Sequence, residues 1–182
     1  MHLRPAQLED IDFIGAQEAR PDFRNFIGCW PRDQHIRNLQ DPNLQYLVIE
    51  PSSEAMLLGE HGAIGYAILS GLRSPHSTIE LARFVIAQPG QGYGRTALRQ
   101  LLKLAFEQYG AHRFWLDVFP HNSRARHLYQ SIGFQVEGTL RDAEKRNEAY
   151  YSLIIMSMLE DEYCQLYLDE NSAPSRLADH RS

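Results

Sequence analysis

Short apolar runs alternate with turn residues along most of the chain, which is the pattern of a sheet. Runs rich in aliphatic and aromatic residues, separated by glycine, proline and polar turns, predict six strands at 44–50, 63–70, 78–87, 113–119, 134–140 and 150–159. The last run is apolar on both faces, which favours a position inside the sheet. A polar loop between the second and third runs predicts that these two strands pair as an antiparallel hairpin.

The pattern changes to a helical period after the third strand. Apolar residues recur at i, i+3, i+4, i+7 and i+11 over 98–109, and Gly110 occupies the position of a C-cap. A shorter helix is predicted over about 122–131, with Asn122 or Ser123 as its N-cap. Two further helices are predicted in the N-terminal third, at 8–19 and 32–39.

Length and composition restrict the class of protein. With 182 residues, 43% hydrophobic and 23% charged, the chain predicts one globular domain over 1–160, followed by a short helix and polar tail at 161–182. The net charge of −5 argues against a protein that coats nucleic acid. No apolar run is long enough for a membrane span and no basic, then apolar, leader opens the chain, so we expect a cytoplasmic protein without a membrane partner.

The cysteines and histidines predict neither a disulfide nor a metal site. Cys29 and Cys164 lie far apart without a CxxC spacing. His121 and His127 are six positions apart, which places them on different faces of a helix. We therefore expect no metal.

A glycine-rich loop is the strongest local signal for a ligand. The segment GQGYGRT at 90–96 lies between a predicted strand and a predicted helix. Three glycines at alternate positions permit a tight turn in which backbone N–H groups converge on an anion at the positive end of the helix. A plain structural turn and a dinucleotide-binding turn have the same outline. The spacing is GxGxG and not GxGxxG, however, and no Gly-Lys-Ser/Thr follows for a nucleoside triphosphate.

Three stretches together resemble a known family. The stretch IELARFVIAQPGQGYGRTALRQLL, followed by RFWLDVFPHNSRARHLYQSIGF and EGTLRD, is similar to the acetyl-CoA-dependent N-acetyltransferases of the GNAT superfamily. Within it, the resemblance is to the bacterial branch that contains the ribosomal-protein N-terminal acetyltransferases. The resemblance covers about 78–159. It implies an α/β (α+β) fold, with a twisted, mostly antiparallel mixed sheet of about six to seven strands flanked by helices. That sheet would be splayed where strand 78–87 meets strand 113–119.

The resemblance also implies a coenzyme site. The glycine loop would hold the pyrophosphate of acetyl-CoA through backbone amides, and the end of the preceding strand would pair with the pantetheine arm. The implied coenzyme-binding residues are Phe84, Val85, Ile86, Gln91, Gly92, Tyr93, Gly94, Arg95, Thr96, Asn122 and Arg126. Pro89 stands where the family commonly has Gln or Arg, and the connection is one residue short. Because backbone amides do most of the binding, we expect affinity to survive this departure.

Two residues match the family's proton-transfer positions. Tyr129 would donate a proton to the departing thiolate, and a phenol with an ordinary pKa near 10 stays protonated at neutral pH. Glu80 would take a proton from the attacking amine, since an ammonium group is not a nucleophile. Tyr129 as a core aromatic, and Glu80 as a solvated carboxylate or a partner of Arg83, are the structural alternatives. A water chain or Asp117 would replace Glu80 as base.

The implied reaction is direct transfer of an acetyl group to a primary amine, either of a small molecule or of a protein N-terminus. The protein would be a monomer or a homodimer. A non-catalytic acyl-CoA-binding sensor and a nucleotide-binding enzyme are the competing functions. The aromatic residues Phe23, Phe26, Trp30 and Tyr66 would either line the acceptor pocket or belong to the core. By family position alone, Asn25, Arg32 and His35 would touch the acceptor. The charged segment 141–149 is expected to face water, or else to form a lip over the acceptor site.

Overall fold

The computed structural model describes residues 1–52 and 62–168. It contains one seven-stranded sheet in the order β1-β2-β3-β4-β5-β7-β6. All neighbouring strands are antiparallel except β4 and β5, which are parallel. The strands are β1 His2–Pro5, β2 Leu44–Glu50, β3 Gly65–Ser70, β4 Thr78–Ile86, β5 Arg113–Val118, β6 Gln135–Arg146 and β7 Ala149–Leu159.

In the described ranges, six helices flank this sheet. They are α1 Asp10–Glu18, α2 Pro21–Arg24, α3 Arg32–Leu39, α4 Tyr93–Lys103, α5 Ser123–Ile132 and α6 Glu160–Tyr163. Two of them continue as π-helical turns, α4 through Leu104–Gln108 and α6 through Cys164–Leu168. The predicted mixed α/β fold with a mostly antiparallel sheet is confirmed, and so are all six predicted strands. The short helix expected after the last strand is present, whereas the predicted polar tail over 169–182 lies outside the described residues.

The helices form two layers, one on each face of the sheet. On one face α4 and α5 bury Leu98, Leu101 and Leu102 against β4, β5 and β7. On the other face α1 and the segment before α3 cover Ile68 and Val85. The apolar stripe predicted for α4 holds up to Ala105, but Tyr109 is 38% exposed. The π-helical turn shifts the last residues of the helix out of the 3.6-residue period, which explains the difference.

Two strand predictions need correction. The strand β1 was not predicted, because four residues with one aliphatic side chain carry no period; Arg4 holds it by ion pairs with Asp10 and Glu50. The segment 141–149, expected as a connection, is largely strand. The turn itself is Asn147 and Glu148, both in the left-handed region. Since β6 is an edge strand exposed along most of its length, it needs no apolar pattern.

The sheet is splayed between β4 and β5, as predicted. The two parallel strands pair only at Thr78–Glu80 with Arg113–Trp115. Beyond this point β4 pairs with β3 alone and β5 with β7 alone. The β3–β4 register shifts by one residue at Ala82, and a bulge of this kind bends the bulged strand. A wedge-shaped gap therefore opens toward the carboxyl ends of both strands, and we call it the β4–β5 gap.

Gly65 of β3 allows close packing of that strand against β4, which borders this gap. A Cβ added at Gly65 would lie 2.3 Å from the carbonyl oxygen of Val85. We expect Gly65→Ala to lower the free energy of unfolding by about 1–3 kcal/mol, because backbone must move to relieve the clash. The matched control is Gly15→Ala in α1, where an added Cβ meets nothing within 4 Å and the helix gains propensity. Urea denaturation of both variants checks this, and equal midpoints would contradict it.

Candidate active site

The wall of the β4–β5 gap on the β4 side is main chain. The Ala87 amide donates to the Ile64 carbonyl oxygen at 2.8 Å, and Val85 is paired with Tyr66. Because successive residues of a strand direct their amide groups to opposite sides, those of Phe84 and Ile86 point into the gap. Among the three strand residues predicted to contact the coenzyme, Val85 therefore has its main-chain groups directed toward β3.

The glycine loop ends at the N-terminus of α4. Gly90 and Gly92 have φ values of 98° and 79°, in the left-handed region, and a Cβ at either position would meet nothing within 4 Å. Gly92 is the N-cap of α4, and no side chain of the described residues caps this helix. Gly94 has a different role, since its added Cβ would lie 3.3 Å from Leu128 of α5. The open positive end of α4 suits an anion held by backbone amides.

The side chains of this loop contribute less than its backbone. Gln91 and Thr96 are exposed, and the Arg95 guanidinium donates to the Ser131 carbonyl oxygen at 3.3 Å. Tyr93 packs against the small cluster of Ile49, Ile64 and Ala97. Arg126, also predicted to bind the coenzyme, donates to the Pro120 carbonyl oxygen at 3.1 Å.

Helix α5 brings the predicted asparagine and tyrosine to the gap. Asn122 is the N-cap, and its side-chain oxygen accepts from the Ala125 amide at 3.2 Å, which leaves the amide NH₂ group to donate elsewhere. Tyr129 is 7% exposed and packs against Phe134. Its hydroxyl has no hydrogen-bond partner among the residues that the structure describes. Burial, and then the charge of Asp117, raise the pKa of Tyr129, so the phenol is protonated at neutral pH.

Two carboxylates lie beside the gap, on the face of the sheet that α1 and α3 cover. Glu80 accepts from the Ser70 hydroxyl at 2.6 Å and stands opposite Trp115 on β5. Asp117 follows Trp115 by two residues, so it lies on the same face. Asp117 is an exposed residue, yet partial desolvation of its carboxyl group and then the charge of Glu80 raise the pKa of Asp117. The alternation along β5 is the sequence signal that places Asp117 beside Glu80.

A buried polar cluster lies next to these carboxylates, and its central residue was not predicted. Glu18 is fully buried and accepts from the Tyr66 hydroxyl at 3.0 Å and the Trp30 amide at 2.8 Å. Arg83 lies 3.8 Å from Glu18 and stacks over the Trp30 ring at 4.3 Å. Arg83 is thus engaged by Glu18, and Glu80 by Ser70, so the expected Glu80–Arg83 pair is absent from the described ion pairs.

Several residues suggested for the acceptor pocket are positioned otherwise. Tyr66 and His35 are completely buried, so neither can line a pocket. Arg32 pairs with Asp12 on the surface. The polar groups of Tyr66 and His35 form internal hydrogen bonds instead, to Glu18 and to the Tyr46 hydroxyl respectively.

An aromatic group borders the site where β5 ends. The centroid of the Phe119 ring lies 5.2 Å from that of His121 and 5.9 Å from that of Tyr151. The ring centroids of Phe26 and His121 are 5.6 Å apart. We call these four residues the aromatic collar. Arg146 stacks over Phe119 at 4.5 Å. Phe26 is the one residue of the predicted acceptor pocket that belongs to the collar.

Neither metal ligation nor a membrane span is seen in the described part of the chain. Within residues 1–52 and 62–168, no group of three or more His, Cys, Asp or Glu side chains is arranged to hold a metal ion. In the same ranges, no helix has the length and apolar content needed to cross a bilayer.

Comparison with known proteins finds similar sequences and a similar fold. Residues 16–134 match the family model described as "Acetyltransferase (GNAT) family". An uncharacterised N-acetyltransferase of Mycobacterium tuberculosis is 32% identical over 145 residues, which cover 72% of this chain and 87% of that protein. The spermidine N(1)-acetyltransferase of Vibrio cholerae is 29% identical over 165 residues, 88% of this chain and 94% of that protein. A crystal structure of the Vibrio cholerae enzyme with CoA and spermine superposes with a TM-score of 0.77 at 23% identity, covering 89% and 96% of the two chains.

The raised pKa of Asp117 predicts an effect on stability. A carboxyl group that binds its proton more tightly when folded loses stability as pH rises from its unfolded pKa of about 3.9 through its folded pKa. We therefore expect Asp117→Asn to raise the melting temperature at pH 7, with a gain that shrinks as pH falls toward 4.

The gain should also be smaller in a Glu80→Gln background, since the charge of Glu80 is one cause of the shift. Thermal unfolding of the wild type, the two single variants and the double variant at pH 7 and pH 4 measures this. A pH-independent gain would show that Asp117→Asn acts through packing alone.

Proposed function

The chain belongs to the GNAT acetyltransferase family and is an N-acetyltransferase, and from this premise we propose that it transfers the acetyl group of acetyl-CoA directly to a primary amine of a small, polycationic acceptor. The observation that carries this proposal is the β4–β5 gap. It joins the face that holds Glu80 and Asp117 to the face that holds Tyr129. Two proton acceptors and one proton donor therefore flank a single opening.

The residues at the other end of the gap fit the coenzyme. Backbone amides at the start of α4 face outward beside the left-handed Gly90 and Gly92, where a pyrophosphate would be held. The outward main-chain groups of Phe84 and Ile86 would pair with the amides of the pantetheine arm. When bound, acetyl-CoA supplies an activated acyl group and a thiolate leaving group. Asn122 and Arg126 lie at the start of α5, from which their side chains would add contacts to the coenzyme.

Proton transfer is divided between the two faces. Glu80, or Asp117 with its raised pKa, would accept the proton that the ammonium group must lose before it attacks. The Ile86 amide, which faces the gap, would donate to the carbonyl oxygen on which negative charge develops. Tyr129 would then donate its proton to the departing thiolate, and its unpartnered hydroxyl is free to do so among the described residues. Cys29, in the loop between α2 and α3, and Cys164, at the start of the last π-helical turn, both lie outside β4, β5 and α5, which supports direct transfer.

The surroundings of the gap favour a cationic acceptor. Glu80 and Glu144 act on Asp117, and so do the guanidinium groups of Arg83 and Arg146, so three carboxylates face two cations and the local charge is still negative. Within the collar the face of Phe119 is taken by Arg146, whereas Tyr151 is 37% exposed and its ring could contact an ammonium group. The net charge of −5 attracts cations over a longer range. The Vibrio cholerae relative, whose name gives spermidine as substrate, supports a polyamine over a protein N-terminus.

Calorimetric titration with acetyl-CoA, with NAD and ATP as controls, is the first test. We expect saturable binding of acetyl-CoA alone, and release of free thiol when spermidine or spermine is added. A peptide with a free N-terminus should give slower release than either polyamine at equal concentration. Binding without turnover on any amine would instead support the acyl-CoA sensor, and binding of NAD or ATP alone would support the nucleotide enzyme.

The role of Tyr129 is tested by Tyr129→Phe. We expect kcat to fall by about 100- to 1,000-fold with an unchanged Kd for acetyl-CoA, because the ring still packs while the proton donor is lost. Tyr109→Phe removes the hydroxyl of a tyrosine that is 38% exposed and lies after α4; it is the control and should keep wild-type kcat. Steady-state kinetics of thiol release measure both. Equal kcat values for the two variants would remove the donor role from Tyr129.

A further inference from the structure

We propose that Arg146 is a positioning residue for the acceptor: it ties the tip of the β6–β7 hairpin to the loop between α2 and α3 and so fixes the acceptor end of the β4–β5 gap. The inference rests on the proposed function. It concerns a segment whose charges were expected to face water.

The contacts of Arg146 connect three separate parts of the chain. Its guanidinium donates to the carbonyl oxygens of Arg24 at 3.0 Å and Ile27 at 3.5 Å, which are 122 and 119 positions away in the sequence. The Nε atom donates to Glu144 at 2.5 Å, and the plane stacks over Phe119 at the end of β5. The side chain is only 21% exposed.

Arg146 makes more contacts than the arginine of an ordinary surface ion pair. A planar guanidinium can donate to several acceptors in its plane while its face lies on an aromatic ring, which a lysine cannot do. Glu144 balances its charge, so the carbonyl oxygens of the loop are held without an uncompensated cation. The loop between α2 and α3 is thereby held from outside, by the hairpin.

The position of this contact relates it to the acceptor and not to the coenzyme. The loop carries Phe26, which packs on His121 of the collar, and the hairpin carries Tyr151, which packs on Phe119. The charges of Glu144 and Arg146 both act on Asp117, which places them within reach of the proton-transfer groups. The glycine loop and the start of α4, in contrast, pack against α5 and against the small cluster around Ile64.

The test compares Arg146→Gln and Arg146→Lys with the control Lys145→Gln. Lys145 is adjacent, and its ammonium pairs with Glu148 in the hairpin itself. For Arg146→Gln we expect the KM for spermidine to rise about tenfold or more, with kcat lowered less and with the Kd for acetyl-CoA within twofold of wild type. Arg146→Lys should recover part of the loss, since it keeps one donor and the charge, and Lys145→Gln should match the wild type.

Hydrogen exchange supplies a readout that needs no turnover. We expect faster exchange of backbone amides at 24–30 in Arg146→Gln and unchanged exchange at 90–96. An acceptor KM within twofold of wild type would overturn the inference while leaving the proposed function intact. A parallel rise in acceptor KM and acetyl-CoA Kd, with a lower melting temperature, would also overturn it, because Arg146 would then serve general stability. A wild-type protein without turnover on any amine would overturn the proposed function, and the acceptor role of Arg146 with it.

Discussion

The candidate site depends on one constraint, which is that β4 and β5 pair over only three residues each. Beyond Glu80, each strand is held by its antiparallel neighbour on the other side, β4 by β3 and β5 by β7. The gap cannot close without breaking one of these ladders. The bulge at Ala82 adds a bend where β4 leaves β5. The divergence is thus fixed by the rest of the sheet, and the site does not have to be created by ligand binding.

The divergence has a cost that a ligand can offset. Main-chain groups of Phe84 and Ile86 face the gap without a strand partner, and backbone N–H and C=O groups require hydrogen bonds from water or from a ligand. A ligand with amide groups along an extended arm satisfies them as a strand would. The open end of α4 lies where β4 leads into the glycine loop, so an anion attached to such an arm meets a positive helix terminus. The geometry therefore selects for an extended amide carrying a phosphate.

The features predicted from the sequence are those with a local signal, and the features missed are long-range. The apolar strands, the left-handed glycines before α4 and the Asn122 cap with its following helix all follow from residues close together in the chain. Glu18 and Arg146 were missed, because one carboxylate in an amphipathic helix and one arginine in a charged edge strand look like solvated surface. Their roles arise from partners at β3, β4 and α2, and no short pattern encodes a contact 122 positions away.

Arg83 links the packing of the helical layer to the chemistry of the gap. Its guanidinium leaves β4 on the face that carries Glu80, and it pairs with the buried Glu18 of α1. Glu18 also anchors the loop before α3 through the Trp30 amide, so one carboxylate holds both the layer and the arginine. The positive charge of Arg83 lowers the pKa of Asp117, in opposition to burial and Glu80. A displacement of α1 would loosen Arg83 and change the charge balance at Asp117. The packing of the α1–α3 layer on the sheet therefore influences the pKa of Asp117, because both depend on the buried ion pair between Arg83 and Glu18.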